Sequence, residues 1–192
     1  VVIQSSINSF GAVILAGNSA SLNIENFIFT AMNGFSQASL TFVSQNFGAK
    51  KYDRINKTIF IAQVCVFLAG FIFGNLTVIF GKQLLSLYTD SPEVIACGLD
   101  RLKIICSTYA LCGMMDCMVG ALRGIGYSVM PMIVSLLGVC AFRMVWILGF
   151  FQIKQFHIID TVYLAYPISW LLTFIVHVIC YLIVRRKIDN LE

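Results

Sequence analysis

The chain contains 192 residues, of which 59% are hydrophobic and only 11% are charged, and its mean hydropathy is +0.88. A soluble domain usually carries about a quarter charged residues, so this composition excludes an ordinary soluble domain and predicts an integral membrane protein. The net charge of +4 gives nucleic-acid binding little support, because the basic residues form short clusters between apolar stretches, where they face anionic lipid headgroups.

Apolar stretches of roughly 20 residues, the length that crosses a hydrocarbon core, recur along the whole chain. They predict an all-α bundle of six transmembrane helices in a single domain. The chain has neither an initiating Met nor a basic signal region, so we expect it to begin partway through a larger protein, with the first helix cut short. The predicted spans are 1–16, 21–47, 58–80, 93–121, 129–152 and 162–184.

Two helix ends carry clear local signals. The segment from Asp90 to Glu93 places Pro92 at a first helical position and an acid beside the positive end of the dipole, which predicts the start of the fourth span there. Gly48 suits the left-handed residue that closes the second span.

Positive charge orients the predicted bundle. Only Lys82 and Lys154 fall in loops on one side, whereas eight of the 13 basic residues fall on the other. Since cytoplasmic loops carry the excess of Lys and Arg, both ends of this segment are expected to be cytoplasmic. The eight residues are Lys50, Lys51, Arg54, Lys57, Arg123, Arg185, Arg186 and Lys187.

Polar side chains recur along the second predicted span. At 100° per residue they fall within a sector of roughly 80°, and Gln4 and Asn8 add amides in the first span. Polar groups facing lipid would cost several kcal/mol each, so these must face either neighbouring helices, through hydrogen bonds, or a water-accessible cavity. We favour the cavity, because so many polar residues in line are hard to satisfy otherwise. The stripe comprises Asn23, Asn26, Thr30, Asn33, Gln37, Thr41 and Ser44.

Asp116 interrupts an apolar run of the fourth span. It shares one helix face with Tyr109 and Arg123 at seven-residue spacing, and Gly113 and Gly120 leave room there for a neighbouring backbone. Helix geometry places Asp116 about 10 Å inward from Arg123. A carboxyl group at this depth needs water, a cation or a partner. Two roles for Asp116 therefore stay open: coupling to a cation or proton, or a structural hydrogen bond near a cytoplasmic gate.

Arg143 falls near the middle of the fifth span, where a buried guanidinium needs an acid. Counting residues along each predicted span places Arg143 at a depth closer to that of Glu25 or Asp100 than to that of Asp116. We favour a structural role for Arg143.

The seven cysteines all lie in apolar segments, and His157 and His177 are too scattered for a metal site. No nucleophile stands with a base, so an intramembrane enzyme is not expected.

Two stretches, SQASLTFVSQNFGAKKYDR (36–54) and GALRGIGYSVMPMIVSLLG (120–138), carry a family likeness. Their patterns are QNxGAxxxxR and LRGxG, and the chain resembles, along its whole length, the carboxy-terminal half of multidrug and toxic compound extrusion (MATE) transporters. The motif residues Gln45, Asn46, Gly48, Arg54, Arg123 and Gly124 are interpreted as structural: a helix end and a tight cytoplasmic turn.

The resemblance implies one lobe of a two-lobed, twelve-helix transporter of the bacterial inner membrane. Residues 1–192 would form the carboxy-terminal lobe, and the amino-terminal six-helix lobe would be its missing partner. Such proteins export organic cations, drugs or toxic compounds in exchange for sodium or protons, with membrane lipid around them and no cofactor besides the coupling ion. Some branches place an acid near Cys112 and another in the lobe's first helix, where residues 1–16 have none.

The resulting candidates are Asp116 for cation or proton coupling, and for the substrate cavity Gln4, Asn8, Asn26, Thr30, Asn33, Gln37 and Tyr109. An alternative is a lipid-linked saccharide flippase of a related two-lobed fold, although its pyrophosphate would call for several basic residues where this stripe offers amides. A purely structural subunit would not need the stripe.

Overall fold

The computed structural model describes residues 3, 7 and 10–189, apart from the side chains of Lys154 and Asp189. The described residues are almost entirely helical, which confirms the predicted all-α fold. The helices are α1 (Ala12–Gly48), α2 (Tyr52–Ile79), α3 (Gly81–Ser86), α4 (Pro92–Ser107), α5 (Tyr109–Gly124), α6 (Val129–Ser135), α7 (Phe142–Leu148) and α8 (Ile159–Asp189). A π-helical turn, Leu136–Ala141, joins α6 to α7, and the 3-10 turns Phe150–Gln152 and Lys154–Phe156 precede α8.

Three helical segments among the described residues are long and apolar enough to cross a membrane: Tyr52–Ile79, Val129–Gln152 and Ile159–Ile188. Helices α4 and α5 make a fourth if they are counted as one span, with a bend of 46° between them at Thr108. Helix α1 has 37 residues, about 55 Å of helix, and is also long enough to cross. Its many polar residues explain why hydropathy alone does not select it.

The predicted break between the first two spans, at residues 17–20, is wrong. Helix α1 runs without interruption from Ala12 to Gly48, and the chain turns earlier, at Gly11, whose φ is +99°. Gly17 and Asn18 look like turn residues in the sequence, but both face α4, where Gly17 packs closely and Asn18 Oδ1 accepts a hydrogen bond from Arg101. A Cβ on Gly17 would lie 2.8 Å from the Val94 carbonyl oxygen of α4.

The bundle is centred on α5, which packs against α1, α2 and α8. Small residues let the backbones approach closely, as in other membrane bundles. A Cβ on Gly120 would lie 2.4 Å from the Ser36 carbonyl oxygen of α1. The predicted role of Gly120 is therefore confirmed, whereas Gly113 makes room for the side chains of Val66 and Met32.

The left-handed residue after α1 is Lys50, with φ +54°, and not Gly48 as predicted. Helix α1 continues through Gly48, and the Lys50 and Lys51 N–H groups then donate to the Phe47 and Asn46 carbonyl oxygens, at 3.0 and 2.9 Å. This pair of bonds is a Schellman closure, whose geometry puts the left-handed residue two positions beyond Gly48.

Candidate transport face and interior charges

All seven residues of the polar stripe are exposed on the surface of the lobe. The opposite side of α1 carries the buried residues Ile24, Ile28, Met32 and Val43, which pack against the rest of the bundle. The stripe therefore does not serve to join α1 to the other helices described here. This exposure is compatible with the water-accessible cavity that the sequence favours, and the cavity itself stays a prediction.

The exposed surface of other helices is very different. Helix α2 presents Phe60, Phe67 and Phe71, and the α6–α7 segment presents Leu136 and Val145. Such surfaces suit contact with lipid chains, whereas unpaired amides do not. The lobe thus has an apolar outer surface and a polar transport face, which we define by the seven stripe residues on α1.

The hydroxyl and amide groups of the transport face differ in their hydrogen bonding. Thr30 and Thr41 donate to the carbonyl oxygens of Asn26 and Gln37 one turn earlier, at 2.8 and 2.9 Å. Among the residues that the structure describes, no side-chain hydrogen bond involves the amides of Asn23, Asn26, Asn33 or Gln37. These amides are available to water, a solute or another protein surface.

A concavity of about 410 Å³ indents the amino-terminal half of the transport face, and is lined by Asn23, Asn26, Phe27, Thr30 and Tyr88. Phe27 and Tyr88 also line an adjoining groove of about 610 Å³ between α1, α2 and α3. The lining of this second groove is almost entirely apolar. Amide groups and a large apolar surface therefore lie side by side at this position.

Asp116 lies half-buried on α5 at the contact with α1. The Ser36 hydroxyl donates a hydrogen bond of 2.8 Å to the backbone carbonyl of Asp116, not to its carboxylate. No ion pair involves this carboxylate within the described chain. The coupling role of Asp116 stays a prediction.

The remaining cavity candidates do not all join the transport face. Tyr109 is buried in the core, where its ring meets Trp170 edge to face with the centroids 5.6 Å apart. Gln4 and Asn8 lie outside the described residues. The structure thus brings Asn26, Thr30, Asn33 and Gln37 onto one surface and places Tyr109 behind it.

A buried ion pair, which the sequence did not reveal, joins α1 to α4. Both oxygens of the Glu25 carboxylate accept hydrogen bonds from Arg101, and Arg101 Nη1 donates to Asn18 Oδ1 at 2.6 Å. Arg101 is only 1% exposed. The signal available in the sequence was a pair of opposite charges at matching depths on two predicted spans.

Among the residues that the structure describes, Arg143 has no acidic partner, contrary to the expectation that Glu25 or Asp100 would compensate it. Glu25 is occupied by Arg101, and Asp100 forms an exposed ion pair with Lys103 at 3.0 Å. Arg143 Nε instead donates to Ser169 Oγ at 2.9 Å. The Arg143 guanidinium lies over the Tyr166 ring, with Cζ 4.1 Å from the ring centroid. The negative face of this ring partly replaces a carboxylate.

A second set of exposed polar residues lies on α4. Glu93, Asp100, Lys103 and Ser107 share one face at helical spacing. The Asp100 and Lys103 side chains are each 60% exposed, and a charged pair inside a membrane-crossing element needs water around it. The regular spacing of these residues was visible in the sequence, but its meaning depends on their exposure.

The two family motifs occupy structural positions. Gln45 and Asn46 lie in the last turn of α1, and Arg54 and Arg123 are exposed near helix ends. Gly124 fits against Leu40 and Val43 of α1. Gly126, with φ +98°, closes α5 by a Schellman pattern in which Tyr127 N–H donates to the Leu122 carbonyl oxygen at 3.0 Å.

Within residues 3, 7 and 10–189, no three His, Cys, Asp or Glu side chains lie together as metal ligands would. His177 is completely buried, and its Nε2 lies 3.1 Å from Ser135 Oγ.

Comparison with known proteins agrees with this arrangement. The chain is 26% identical over 148 residues to a probable multidrug resistance protein, NorM, of Thermotoga maritima, covering 77% of this chain and 32% of NorM. The fold matches the crystal structure of the Vibrio cholerae MATE transporter VcmN in the bent form, with a TM-score of 0.84 and 18% identity. That match covers 97% of this chain and 42% of VcmN.

The chain therefore spans less than half the length of the relatives it matches. Neither match favours the flippase alternative. The MatE family model matches residues 1–147, and we conclude that this multi-pass membrane protein belongs to the MATE family of transporters.

Proposed function

We propose that this chain is the carboxy-terminal lobe of an antiporter that exports organic cations, drugs or other toxic compounds in exchange for sodium or protons. The observation that carries the proposal is the exposed row of amides on α1, which has no use against lipid. Neutral amides solvate a polar or cationic solute without holding it tightly, as a transport cycle requires.

The missing partner in this proposal is an amino-terminal lobe of six helices. The transport face would form one wall of a central cavity, and the partner lobe would supply the other. Rocking of the lobes would expose the cavity to each side of the membrane in turn. The length of the chain relative to NorM and VcmN supports this arrangement.

Asp116 is the proposed coupling residue. It lies half-buried on α5 and has no ion-pair partner in the described chain, so a cation or proton could bind there and leave again. Ser36, whose hydroxyl bonds to the Asp116 backbone, ties this position to α1 and hence to the transport face. We further propose a bacterial inner membrane with both chain ends in the cytoplasm, since the basic clusters lie on that side.

The proposal is tested with the complete protein containing these 192 residues, reconstituted into liposomes. An imposed sodium or proton gradient should drive ethidium across the membrane, and one of the two ions should be sufficient. Dissipating the gradient with an ionophore should abolish the flux, which excludes passive leakage.

Liposomes containing the variant Asn33→Leu test the transport face directly, because this change removes an exposed amide that makes no side-chain hydrogen bond among the described residues. Flux should fall at least about tenfold while the protein still folds. Ethidium flux that needs no gradient, or the absence of flux with both the sodium and the proton gradient, would contradict the proposed antiport.

A further inference from the structure

Two grooves on the surface of the lobe meet at one residue, Val134. The first has a volume of about 520 Å³ and lies at the α5–α6 turn, where Tyr127 and Ser128 are part of its lining. The second, of about 320 Å³, lies between the π-helical turn and α8, and Leu172 and Val176 form one of its walls. Because Val134 lines both grooves, we treat them together as one lateral groove along α6 and α8.

The lateral groove is as long as one leaflet of a membrane is deep. Ser128 lies at one end of it, directly before the Val129–Gln152 span, and Gly138 lies ten residues further along. Ten residues of helix measure about 15 Å, which is half of a hydrocarbon core about 30 Å thick. The groove therefore runs from the membrane surface, where headgroups lie, to the middle of the bilayer.

The walls of the lateral groove are apolar and exposed. Ile133, Leu137 and Leu172 each leave between 45% and 59% of their surface uncovered. At the deep end Gly138 lies so close to Thr173 that a Cβ would collide with the threonine side chain, so α8 closes the floor of the groove there. An apolar groove on membrane-crossing helices suits an acyl chain, because its walls contain little that needs water.

Three exposed cations lie near the surface end of the groove: Arg123, Arg186 and Lys187. Arg123 belongs to the last turn of α5, and its carbonyl oxygen accepts a hydrogen bond of 2.9 Å from the Gly126 N–H that precedes Tyr127. Among the residues that the structure describes, none of the three cations forms an ion pair.

The basic end of α8 lies beside the start of α6. Met130 packs against a cluster that contains Val184 and Ile188, so the last two turns of α8 are close to the surface end of the groove. Lys187 follows Val176 by eleven residues, and this spacing places both on the same face of α8. The wall of the groove that contains Val176 therefore leads to a basic residue at the membrane surface.

No acid opposes these cations along either wall. The sequence contains no acidic residue between Asp116 and Asp160, and none between Asp160 and Asp189. The Ser128 hydroxyl does not cap α6, so it is available as a donor at the same end. Cations and a hydroxyl above an apolar groove match a phosphate group that carries hydrocarbon chains.

We propose that the lateral groove binds a phospholipid with a net negative headgroup. One acyl chain lies along α6 and α8, and the headgroup lies among Arg123, Arg186 and Lys187. This inference requires only that the Val129–Gln152 and Ile159–Ile188 spans cross a membrane. It is independent of the substrate, the coupling ion and the antiport proposed above.

Photocrosslinking of the complete protein in detergent micelles tests the proposal. The probe is phosphatidylglycerol with a diazirine at the end of one acyl chain, and peptide mass spectrometry locates the adducts after illumination. Adducts should concentrate in residues 133–142 and 172–176. Unlabelled phosphatidylglycerol should displace the probe at a concentration about tenfold below that of phosphatidylcholine with the same chains, because the two lipids differ in headgroup charge.

Arg123→Gln should raise the concentration of phosphatidylglycerol needed for displacement by about fivefold and change that of phosphatidylcholine by less than about twofold. Lys57→Gln is the matched control. It removes one exposed cation from the same basic end of the lobe, but from α2, which does not line the groove. Both displacement concentrations should stay within about twofold in this control.

A steric variant tests the acyl-chain part of the site. Val134→Phe fills the position where the two grooves meet, so adducts in residues 133–142 and 172–176 should fall at least about fivefold. If this variant does not fold, Ile133→Trp replaces it, because Ile133 is 46% exposed. Undiminished adducts in the folded variant would contradict binding of the chain in the groove.

Equal displacement by the two lipids would overturn the preference for a negative headgroup. Equal effects of Arg123→Gln and Lys57→Gln would overturn the assignment of the headgroup to Arg123, because the charge of the whole surface would then explain the preference. Adducts as frequent on Phe60, Phe67 and Phe71 of α2 would mean that lipid coats every apolar surface alike, without a site. An absence of adducts in both ranges would show that another part of the complete protein covers the groove.

Discussion

Arg101 and Glu25 are joined by two hydrogen bonds in the interior of the lobe, from Nε to Oε1 at 2.8 Å and from Nη2 to Oε2 at 3.0 Å. Glu25 belongs to α1 and Arg101 to α4, so the pair fixes the register of the helix that carries the transport face. Asn18 extends the contact about two further turns toward the start of α1.

Removing one partner of this pair should destabilise the protein strongly. Glu25→Gln leaves a buried guanidinium without its counterion, and the expected loss in free energy of unfolding is about 3–5 kcal/mol. Unfolding in detergent can be followed with a thiol-reactive dye, because Cys106, Cys112 and Cys117 are buried until the bundle opens.

The exposed pair of Asp100 and Lys103 is the control for this measurement. Lys103→Gln should change the free energy of unfolding by no more than about 1 kcal/mol, because both side chains of the pair are 60% exposed. The double variant Glu25→Leu with Arg101→Leu should recover part of the free energy of unfolding that Glu25→Gln loses. A Glu25→Gln protein as stable as the unmutated one would show that the pair does not fix α1 against α4.

The packing of α1 on α5 leads to a prediction about Gly120. In Gly120→Ala the new Cβ would lie 2.4 Å from the Ser36 carbonyl oxygen, so the two helices must separate. Destabilisation of about 1–3 kcal/mol is expected from such overpacking. Thermal unfolding of the purified protein measures it.

Gly34 offers a control on α1 itself, since a Cβ there meets nothing within 4 Å. Gly34→Ala should be neutral or slightly stabilising, because Ala favours the helix over Gly. Equal unfolding midpoints for the two variants would mean that α1 and α5 are not held at the distance described here.

The fold could be predicted from the sequence because hydropathy and charge act locally. Stretches of apolar residues predicted the three spans Tyr52–Ile79, Val129–Gln152 and Ile159–Ile188, and Pro92 marked the start of α4 correctly. The break at Gly17 and Asn18 was predicted wrongly, because small residues that pack against another helix look the same in sequence as a turn. The left-handed residue was misplaced at Gly48 for a related reason: the hydrogen bonds that close α1 depend on where the chain reverses.

The candidate site was predictable only in part. A helical wheel sufficed to find the polar stripe, since its residues share one helix. The pairing of Arg101 with Glu25, and the lack of an acid for Arg143, depend on which helices are neighbours in space. The order of the helices and the depth of each residue limited the possible partners of Glu25. They could not decide between Arg101 and Arg143, which lie at similar depths.

Asp116 should determine how transport depends on the coupling ion. Asp116→Asn removes the charge while keeping the size of the side chain, so ethidium flux should lose its dependence on the imposed gradient and fall at least about tenfold. Asp100→Asn, which removes an exposed acid of α4, should keep that dependence. Unchanged flux and unchanged ion dependence in Asp116→Asn would reject the coupling role.

The transport face should be wet, and the outer surface of the lobe should not. A cysteine introduced at Asn33 in the complete protein, in membranes, should react within minutes with a charged methanethiosulfonate reagent, because the thiolate forms only in contact with water.

Native Cys65 and Cys140 provide internal controls. Both are exposed in the structure but lie among lipid-facing residues of the Tyr52–Ile79 and Val129–Gln152 spans, so they should resist the charged reagent and react only with a lipophilic maleimide. Slow labelling at Asn33→Cys together with rapid labelling of Cys65 would reverse the assignment of the two surfaces. Labelling of Asn33→Cys that is blocked by ethidium would further place the transported molecule against the amides of α1.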